Sequence, residues 1–409
     1  MSFQQGLSGL NAASKQLEVI GNNVSNANTV GFKQSRAEFA DVFANSLSGG
    51  SSTQIGIGTK LSNVAQQFTQ GNITSTNNSL DIAINGNGFF RMSNNGAVTY
   101  SRNGQFEMDK SGYIVDASSK RLTGYIADSS GVLDTGKTAE ININTSDLNP
   151  KATTSVIGLV NLDSRNEVLA ASGFDVKDPD PTTYHNSTAV TAYDSLGNAH
   201  TLQTYFIKTA EAANSSTWTV FTKVGDADAA QACTMTFDGT GIKPTIAPTP
   251  TTITFTPTNG AEKVSLSLDY SGSTQFGSNF GVNALSQDGF TSGRLAGFST
   301  AADGTVIGRY TNGQSKTLAQ VVLANFVNPN GLQSLGGNAW AEGANSGAAL
   351  IGAPNTGSLG VLQANAQEDS NVDLTAELVN MITAQRVYQA NAQTIKTQDQ
   401  VLQTLVNLR

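Results

Sequence analysis

The chain has 409 residues, enough for two to four domains, and a formal net charge of −8 at pH 7. It has no basic stripe to displace counterions from phosphates, which argues against a nucleic-acid partner. The single cysteine, Cys233, excludes an intrachain disulfide, and no run of about 18 apolar residues favours membrane insertion. Two histidines are too few for a His-rich metal site, so no metal or other cofactor is expected.

The first predicted element is a helix with an apolar residue at every seventh position. This repeat is typical of a helix that buries one side against another helix. Residues that favour turns follow the repeat and are predicted to end the helix. The repeat consists of Phe3, Leu10, Leu17 and Val24, and Leu7 lies beside it. The turn contains Asn26, Asn28, Gly31 and Phe32.

A connector is predicted after the helix, over residues 32–71. The segment has few apolar side chains, and residues 46–52 are almost wholly Ser and Gly. Because it cannot hold a core of its own, we expect it to pack against another part of the chain. Residues 355–369, near the other end, are predicted to belong to the same connector.

Short strands are predicted from residue 72 to residue 147. Leu80, Ile82 and Ile84 alternate with polar or small residues, and the Gly86–Phe90 run GNGFF is predicted to be a tight turn rather than a phosphate loop. Hairpin turns are predicted at Asn95–Gly96, Asn103–Gly104 and Ser111–Gly112. Residues 279–354 return to this texture, with turns at Asp303–Gly304 and Asn312–Gly313. We therefore predict one inner β domain made of 72–147 and 279–354.

A second β domain is predicted at 148–278, between the two halves of the first. Its strands alternate with Pro-rich stretches, including residues 178–181 and 244–257. Proline cannot donate a hydrogen bond to a sheet, so these stretches are predicted to be loops or edges. The segment reads as an outer domain inserted into a loop of the inner one.

The last predicted element is a second helix with the same seven-residue repeat. Asn371 is predicted to cap its start. Positions beside the repeat are mostly Gln, Asn and Thr, whereas a helix that faces bulk water usually carries paired opposite charges. The apolar positions are Leu374, Leu378, Met381, Tyr388, Ile395, Leu402 and Leu405.

Two explanations of these repeats remain open. The terminal helices form an assembly seam, or they simply pack on one globular core. We favour assembly. The predicted fold is α+β and multidomain: the helices of 1–31 and 370–409 form a coiled-coil base, and all-β domains of sandwich or barrel type are nested between them.

Few residues suggest catalysis. The chain has two histidines, His185 and His200, but its sequence has no nucleophile elbow of the kind that a Ser-His-Asp hydrolase needs. Cys233 has no histidine nearby in sequence. Four acidic residues beside Pro, Gly or turn-forming residues are predicted mainly to stabilise turns. A distant alternative is that two of them flank a glycosidic bond as the catalytic carboxyl groups of a glycosidase. The four residues are Asp178, Asp180, Asp194 and Asp288. No enzyme activity is therefore expected.

Three segments resemble the bacterial flagellar rod and hook proteins. The N-terminal signature is similar to LSGLNAASKQLEVIGNNVSNANTVGFK at Leu7–Lys33. The β domain of the family resembles SLDIAINGNGFF at Ser79–Phe90, together with YSRNGQF and GYIVDASSKRLTGY at Tyr100–Phe106 and Gly112–Tyr125. The C-terminal signature is similar to Ser370–Leu408. Rod members lack a large central insertion, so the long segment 148–278 favours the hook members.

The resemblance implies a structural subunit that assembles with itself into a curved tube and transmits torque as a universal joint. It implies as further partners the distal rod protein, the hook–filament junction protein, the hook cap and the flagellar type III export apparatus. The N-terminus has no basic region before Lys15, so a cleaved signal peptide is not expected, and the predicted location is the extracellular hook of the flagellum. The alternatives are another axial flagellar protein, of the rod or hook-associated type, and a secreted β-rich carbohydrate-binding protein.

Overall fold

The computed structural model describes residues 2–42 and 56–407, except for the side chains of residues 2, 405 and 407. The Ser/Gly-rich run of the predicted connector therefore lies outside the described residues. A long helix stands near each end of the chain: α1 spans Ser2–Ser25 and α2 spans Leu374–Asn407. The two helices pack against each other.

Asp373, and not Asn371, caps the start of α2. The Asp373 carboxylate accepts hydrogen bonds from the backbone N–H groups of Thr375 and Ala376, at 2.9 and 3.1 Å. The prediction for Asn371 is wrong because this residue lies too far before the helix to reach those groups. Its side-chain oxygen instead accepts a hydrogen bond of 2.8 Å from the backbone N–H of Gln34 and so ties the connector to the helix start.

The chain divides into two compact units. The terminal unit comprises residues 1–145, 297–309 and 315–409, and the central unit comprises residues 146–296 and 310–314. Before the central unit, the chain forms ten strands in its described residues: β1 (Ser35–Val42), β2 (Gly58–Gln66), β3 (Ile73–Ser75), β4 (Ile82–Asn85), β5 (Phe89–Asn94), β6 (Ala97–Ser101), β7 (Glu107–Met108), β8 (Ile114–Val115), β9 (Arg121–Ile126) and β10 (Ala139–Glu140).

The central unit is a β-sandwich. One sheet has the order β17-β18-β11-β19, with β20 also paired to β11, and the other has the order β12-β13-β14-β15-β16. Val160 and Leu266 from the first sheet share one core with Phe206, Trp218 and Met235 from the second. The strands are β11 (Ser155–Asp163), β12 (Asn186–Tyr193), β13 (Ala199–Ala212), β14 (Ser215–Val224), β15 (Ala230–Asp238), β16 (Thr245–Ala247), β17 (Thr251–Phe255), β18 (Val264–Asp269), β19 (Thr274–Phe276) and β20 (Gly281–Gln287).

The chain then completes the terminal unit. Its aromatic core combines Phe89 and Tyr100 from the early strands with Phe326 and Trp340 from the late ones. Antiparallel pairs β28–β4 and β29–β3 join the segment before α2 to the segment after β2. The late strands are β21 (Leu295–Thr300), β22 (Thr305–Tyr310), β23 (Ser315–Val321), β24 (Leu323–Asn325), β25 (Gln333–Gly336), β26 (Ala339–Ala341), β27 (Leu350–Gly352), β28 (Val361–Ala364) and β29 (Ala366–Glu368).

Most of the predicted turns are present. Asn95 and Gly96, between β5 and β6, have φ values of 51° and 93°, as a two-residue hairpin of type I′ requires. Asn103–Gly104 is an exception, and that prediction is wrong. A Cβ atom on Gly104 would overlap the carbonyl oxygen of Ile82, so this glycine permits a close approach of two backbone segments.

The predicted fold class is confirmed, since the terminal helices lie against each other and the β domains are nested between them. The two-stranded sheet of β1 and β2 within the connector was not predicted. The domain boundaries at 148 and 278 remain predictions. In the structure β20 (Gly281–Gln287) pairs with β11, and the central unit extends to residue 296.

Candidate assembly site

The two terminal helices approach each other closely at two glycines of α1. A Cβ atom at Gly6 would lie 3.1 Å from Ile395 Cγ1, and one at Gly9 would lie 2.8 Å from Asn391 Oδ1. The absence of a side chain therefore lets the helix backbones come close. On α2, Ala384 is only 2% exposed and lies seven residues before Asn391. At these two positions the helices meet through glycine and polar or small residues, together with the large apolar side chain of Ile395.

Ile395 of the predicted apolar seam takes part in this interface, but most of the seam lies outside it and is exposed or partly exposed. Exposure of between 37% and 49% is found for Phe3, Leu7, Leu374, Leu378, Tyr388 and Leu402. Intermediate exposure is found for Leu10, Leu17, Val24, Met381 and Ile395. The side chain of Leu405 lies outside the described residues. A single chain therefore leaves a line of large apolar side chains along both helices available for a further contact.

The turn after α1 is held against the β domain. Gly31 adopts a φ of 71°, and a Cβ atom there would lie 2.6 Å from the backbone nitrogen of Asn103. Phe32 is 9% exposed, and Asn26 accepts a hydrogen bond of 3.0 Å at its carbonyl oxygen from the backbone N–H of Thr29. Asn28 is exposed. Glycine is required at residue 31 because a side chain would be strained by the backbone and would collide with the neighbouring loop.

A buried cluster of charges follows this turn. Glu368, at the end of β29, accepts a hydrogen bond of 2.7 Å from Lys33 Nζ and contacts Arg102 Nη1 at 3.4 Å. The Glu368 carboxylate also accepts from the backbone N–H of Gly71 at 2.9 Å, and its backbone carbonyl accepts from Gly31 at 2.8 Å. Burial lowers the pKa of the Lys33 ammonium, while the Glu368 carboxylate acts in the opposite direction. Glu368 thus connects the end of α1, the connector and the β domain.

The amino-acid sequence alone did not predict this cluster. Lys33 and Glu368 are 335 residues apart, and each stands in a segment that is mainly polar and small. A buried charge needs a partner, but the sequence does not show which charges are buried. The one available signal was the position of Lys33 directly after the predicted turn.

Several of the residues that were candidates for catalysis are instead held in hydrogen bonds, in ion pairs or in the core. His200 Nε2 lies 3.0 Å from Asp194 Oδ2, and Asp288 contacts Lys151 Nζ at 2.9 Å. Asp194 also accepts from backbone N–H groups of its own turn. Cys233 is 1% exposed, and burial raises the pKa of its thiol to about 11. Within residues 2–42 and 56–407, no cluster of three or more His, Cys, Asp or Glu side chains is placed to hold a metal ion. No helix in these ranges has the length and apolarity needed to span a membrane.

Four family models match successive parts of the chain. Residues 3–33 match the model described as flagella basal body rod protein, and residues 83–159 match the flagellar hook protein FlgE/F/G D1 domain. Residues 161–290 match the flagellar basal body protein FlaE D2 domain. Residues 363–408 match the C-terminal model of the flagellar basal body rod FlgEFG proteins. The first match covers α1 from its second residue onward, and the last match contains α2.

Similar proteins cover the whole chain. The flagellar hook protein FlgE of Salmonella typhimurium is 44% identical and that of Escherichia coli is 42% identical, each over 100% of both chains. FlgE of Borreliella burgdorferi is 31% identical over 100% of this chain and 99% of its own. The crystal structure of Helicobacter pylori FlgE2 shares the fold, with a TM-score of 0.54 and 16% identity over 72% of this chain and 99% of that one. On these identities, the chain belongs to the flagellar hook protein FlgE family.

Proposed function

We propose that the exposed apolar line of α1 and α2 is the surface through which copies of this hook subunit join into a tube. The observation that carries this proposal is the exposure of the largest apolar side chains of both helices. Leu374 and Leu378 are each 45% exposed and Leu402 is 49% exposed, although the two helices already pack against each other. Complete burial of a fully exposed Leu side chain contributes roughly 1.5–3 kcal/mol. These side chains are already about half covered, so a neighbouring helix pair gains roughly half of that at each position.

The terminal helices and the β domains have different roles in this proposal. The paired helices form a stiff inner tube, because closely packed interfaces resist deformation. The β domains form a compliant exterior, since wet and polar contacts between copies slide more easily than buried apolar ones. A contact between unlike surfaces that does not close on itself produces a helical polymer. Such a tube bends while it rotates and acts as a universal joint for torque.

The proposal includes the partners that meet the two ends of the tube. They are the distal rod protein, the hook–filament junction protein and the hook cap, in addition to further copies of the chain. Export proceeds through the flagellar type III apparatus in this proposal. Support for these partners comes from the family resemblance of both terminal helices and not from a contact in the structure.

Replacing Leu378 with aspartate tests the assembly surface. Ile395 is a less informative position, because it also lies beside Gly6 in the interface within one chain. Leu378 is half exposed, so a charge there leaves the single chain folded but places an unpaired carboxylate in the contact between copies. We expect Leu378→Asp to abolish tubes in electron micrographs of concentrated protein and to leave the far-ultraviolet circular dichroism of the monomer unchanged.

Leu196→Asp is the matched control. Leu196 is 58% exposed but lies in a turn of the central unit, away from α1 and α2 in sequence. This variant is expected to form tubes as the unmodified protein does. Tubes formed equally well by Leu378→Asp would contradict the proposal.

A further inference from the structure

A polar cavity lies between α1, the start of α2 and β1. Its volume is about 560 Å³, which is room for a long side chain. The lining includes Gln16, Asn23, Gln34, Arg36, Asn380 and Glu377. Apolar residues, among them Ile20 and Phe39, also line the cavity, but its many polar groups distinguish it from a gap in a hydrophobic core. The carboxylate and amide oxygens in the lining suit a partner that donates hydrogen bonds.

Glu377 is the residue that gives the cavity its chemistry. It is only 4% exposed, and its Oε1 atom accepts a hydrogen bond of 2.6 Å from Gln34 Nε2. Its Oε2 atom is buried and accepts no hydrogen bond from any described residue. The N-terminus of α2 favours a negative charge at this position but supplies no donor to Oε2. A buried carboxylate oxygen without a donor is unfavourable and indicates a missing partner.

The chain itself carries a side chain that suits Glu377 Oε2 as a hydrogen-bond donor. This side chain is Arg386 on α2, which is exposed and forms no ion pair with any described residue. It lies two residues after the buried Ala384, so a rotation of about 100° per residue places it on the side of α2 that faces away from α1. A guanidinium presents several donors in a planar fork that matches a carboxylate.

We propose that Arg386 of one copy enters the cavity of a neighbouring copy and donates a hydrogen bond to Glu377 Oε2. This inference rests on the proposed function, in which the terminal helices form the contact between copies. Glu377 and Arg386 stand nine residues apart on one helix, which corresponds to about 14 Å. The two residues therefore pair only between copies that are shifted along the helix direction. A shifted contact between unlike surfaces repeats without closing and continues the polymer.

The experiment uses charge reversal in the full chain and measures the critical concentration for tube formation by sedimentation. Glu377→Arg leaves two cations and Arg386→Glu leaves two anions, so neither variant alone can form the pair. We expect each to require at least about a tenfold higher concentration than the unmodified chain, because a buried charge-assisted hydrogen bond is lost. A mixture of the two variants restores both complementary pairs, and we expect it to form tubes near the original concentration. Rescue by mixing is possible only if the partners belong to different copies.

Neutral variants keep the proposal testable if Glu377→Arg does not fold. Glu377→Gln and Arg386→Gln should each raise the critical concentration, and the double variant should raise it no further than either single one. Glu18→Gln, which removes an exposed carboxylate of α1, is the matched control and should have no effect. Circular dichroism and the melting temperature of each monomer verify that it is folded.

Three outcomes would overturn the inference while leaving the proposed function intact. The first is tube formation by Glu377→Gln and Arg386→Gln at the concentration of the unmodified chain. The second is a loss caused by Lys396→Gln in place of Arg386→Gln, which would assign another cation. The third is a loss caused by Arg36→Gln together with a lower melting temperature of the monomer, which would place the partner in the same chain. Failure of the unmodified chain to form tubes would instead reject the proposed function.

Discussion

At the scale of single residues, the junction between helices and β domain depends on Glu368. Its carboxylate is fully buried between Lys33 and Arg102, which come from two distant segments of the chain. Two cations around one anion leave little tolerance for loss of the anion. The sequence could not show this, because an isolated charge in a polar segment has the same appearance whether it is buried or exposed.

Replacing Glu368 with glutamine is expected to destabilise the terminal unit strongly. Two buried cations lose their counter-charge, and such a loss typically lowers the free energy of unfolding by about 3–5 kcal/mol. The measurement is urea unfolding followed by the fluorescence of Trp340, with Trp218 replaced by phenylalanine. Glu18→Gln breaks the exposed pair with Lys15 and should change stability by less than about 1 kcal/mol. Equal effects of the two variants would rule out a stabilising role for the buried junction.

The stability of the central unit should depend on pH through Asp288. Burial raises the pKa of this carboxyl, but hydrogen bonds from Thr154 and Lys151 lower it more, so that it lies well below its ordinary value. A pKa that is lower in the folded than in the unfolded state contributes stability above about pH 4, and this contribution is lost as the pH falls further. We expect Asp288→Asn to weaken the acid dependence of unfolding and to lower stability at pH 7.

Fluorescence of Trp218, with Trp340 replaced by phenylalanine, reports this transition in the central unit. Asp226→Asn removes one exposed carboxylate from the same unit and serves as the matched control. An acid dependence of Asp288→Asn that is as steep as that of the unmodified chain would contradict the assignment.

At the scale of elements, both helices and their seven-residue repeats were predictable from the sequence. The sequence did not show which residues of each helix form the contact between α1 and α2. Large apolar residues dominate the pattern, so the sequence directs attention to Leu374 and Leu402. The interface within one chain includes Gly6, Gly9 and Ala384, which contribute little to an apolar pattern, and only Ile395 of the repeat packs on these glycines. Small residues reveal such an interface only when the partner helix is in view.

Gly9→Leu is expected to force α1 and α2 apart. The new side chain would occupy the space of Asn391, whose Oδ1 atom lies 2.8 Å from the position of a Cβ atom on Gly9. Overpacking of this kind destabilises by about 1–3 kcal/mol. The measurement is hydrogen exchange of the amides of both helices, which should be faster in the variant.

Gly21→Ala provides the control within the same helix. A Cβ atom at this position meets nothing within 4 Å, and alanine is favoured over glycine in a helix by about 1 kcal/mol. This variant should exchange more slowly than the unmodified chain. Unchanged exchange in Gly9→Leu would show that the close approach at this glycine is not needed for pairing of the helices.

At the scale of the whole molecule, the nested order of domains was predictable because the repeats at both ends imply that the ends meet. The pairings β3–β29 and β4–β28, which join the two halves of the terminal unit, were not predictable from short and irregular strands. Membership of the FlgE family decides between the functions that the sequence pattern alone left open. The FlgE family is one of structural proteins, which confirms that the chain is not an enzyme and excludes the carbohydrate-binding alternative.

The two units are expected to unfold separately. Each has its own core, and each contains one of the two tryptophans: Trp340 in the terminal unit and Trp218 in the central unit. Urea unfolding of Trp218→Phe and of Trp340→Phe should therefore give different midpoints, since a chain with independent cores departs from two-state behaviour. Superimposed curves would show that the two cores unfold as one cooperative system.

The buried state of Cys233 has a practical consequence for the study of the hook. Its thiol is enclosed in the sandwich core, and its raised pKa keeps it protonated at neutral pH, so maleimide reagents should leave it unmodified in the folded protein. A cysteine introduced on the surface can therefore be labelled with a fluorophore or spin probe without first removing the native one. Rotation and bending of single hooks thereby become open to optical measurement in an otherwise unaltered chain.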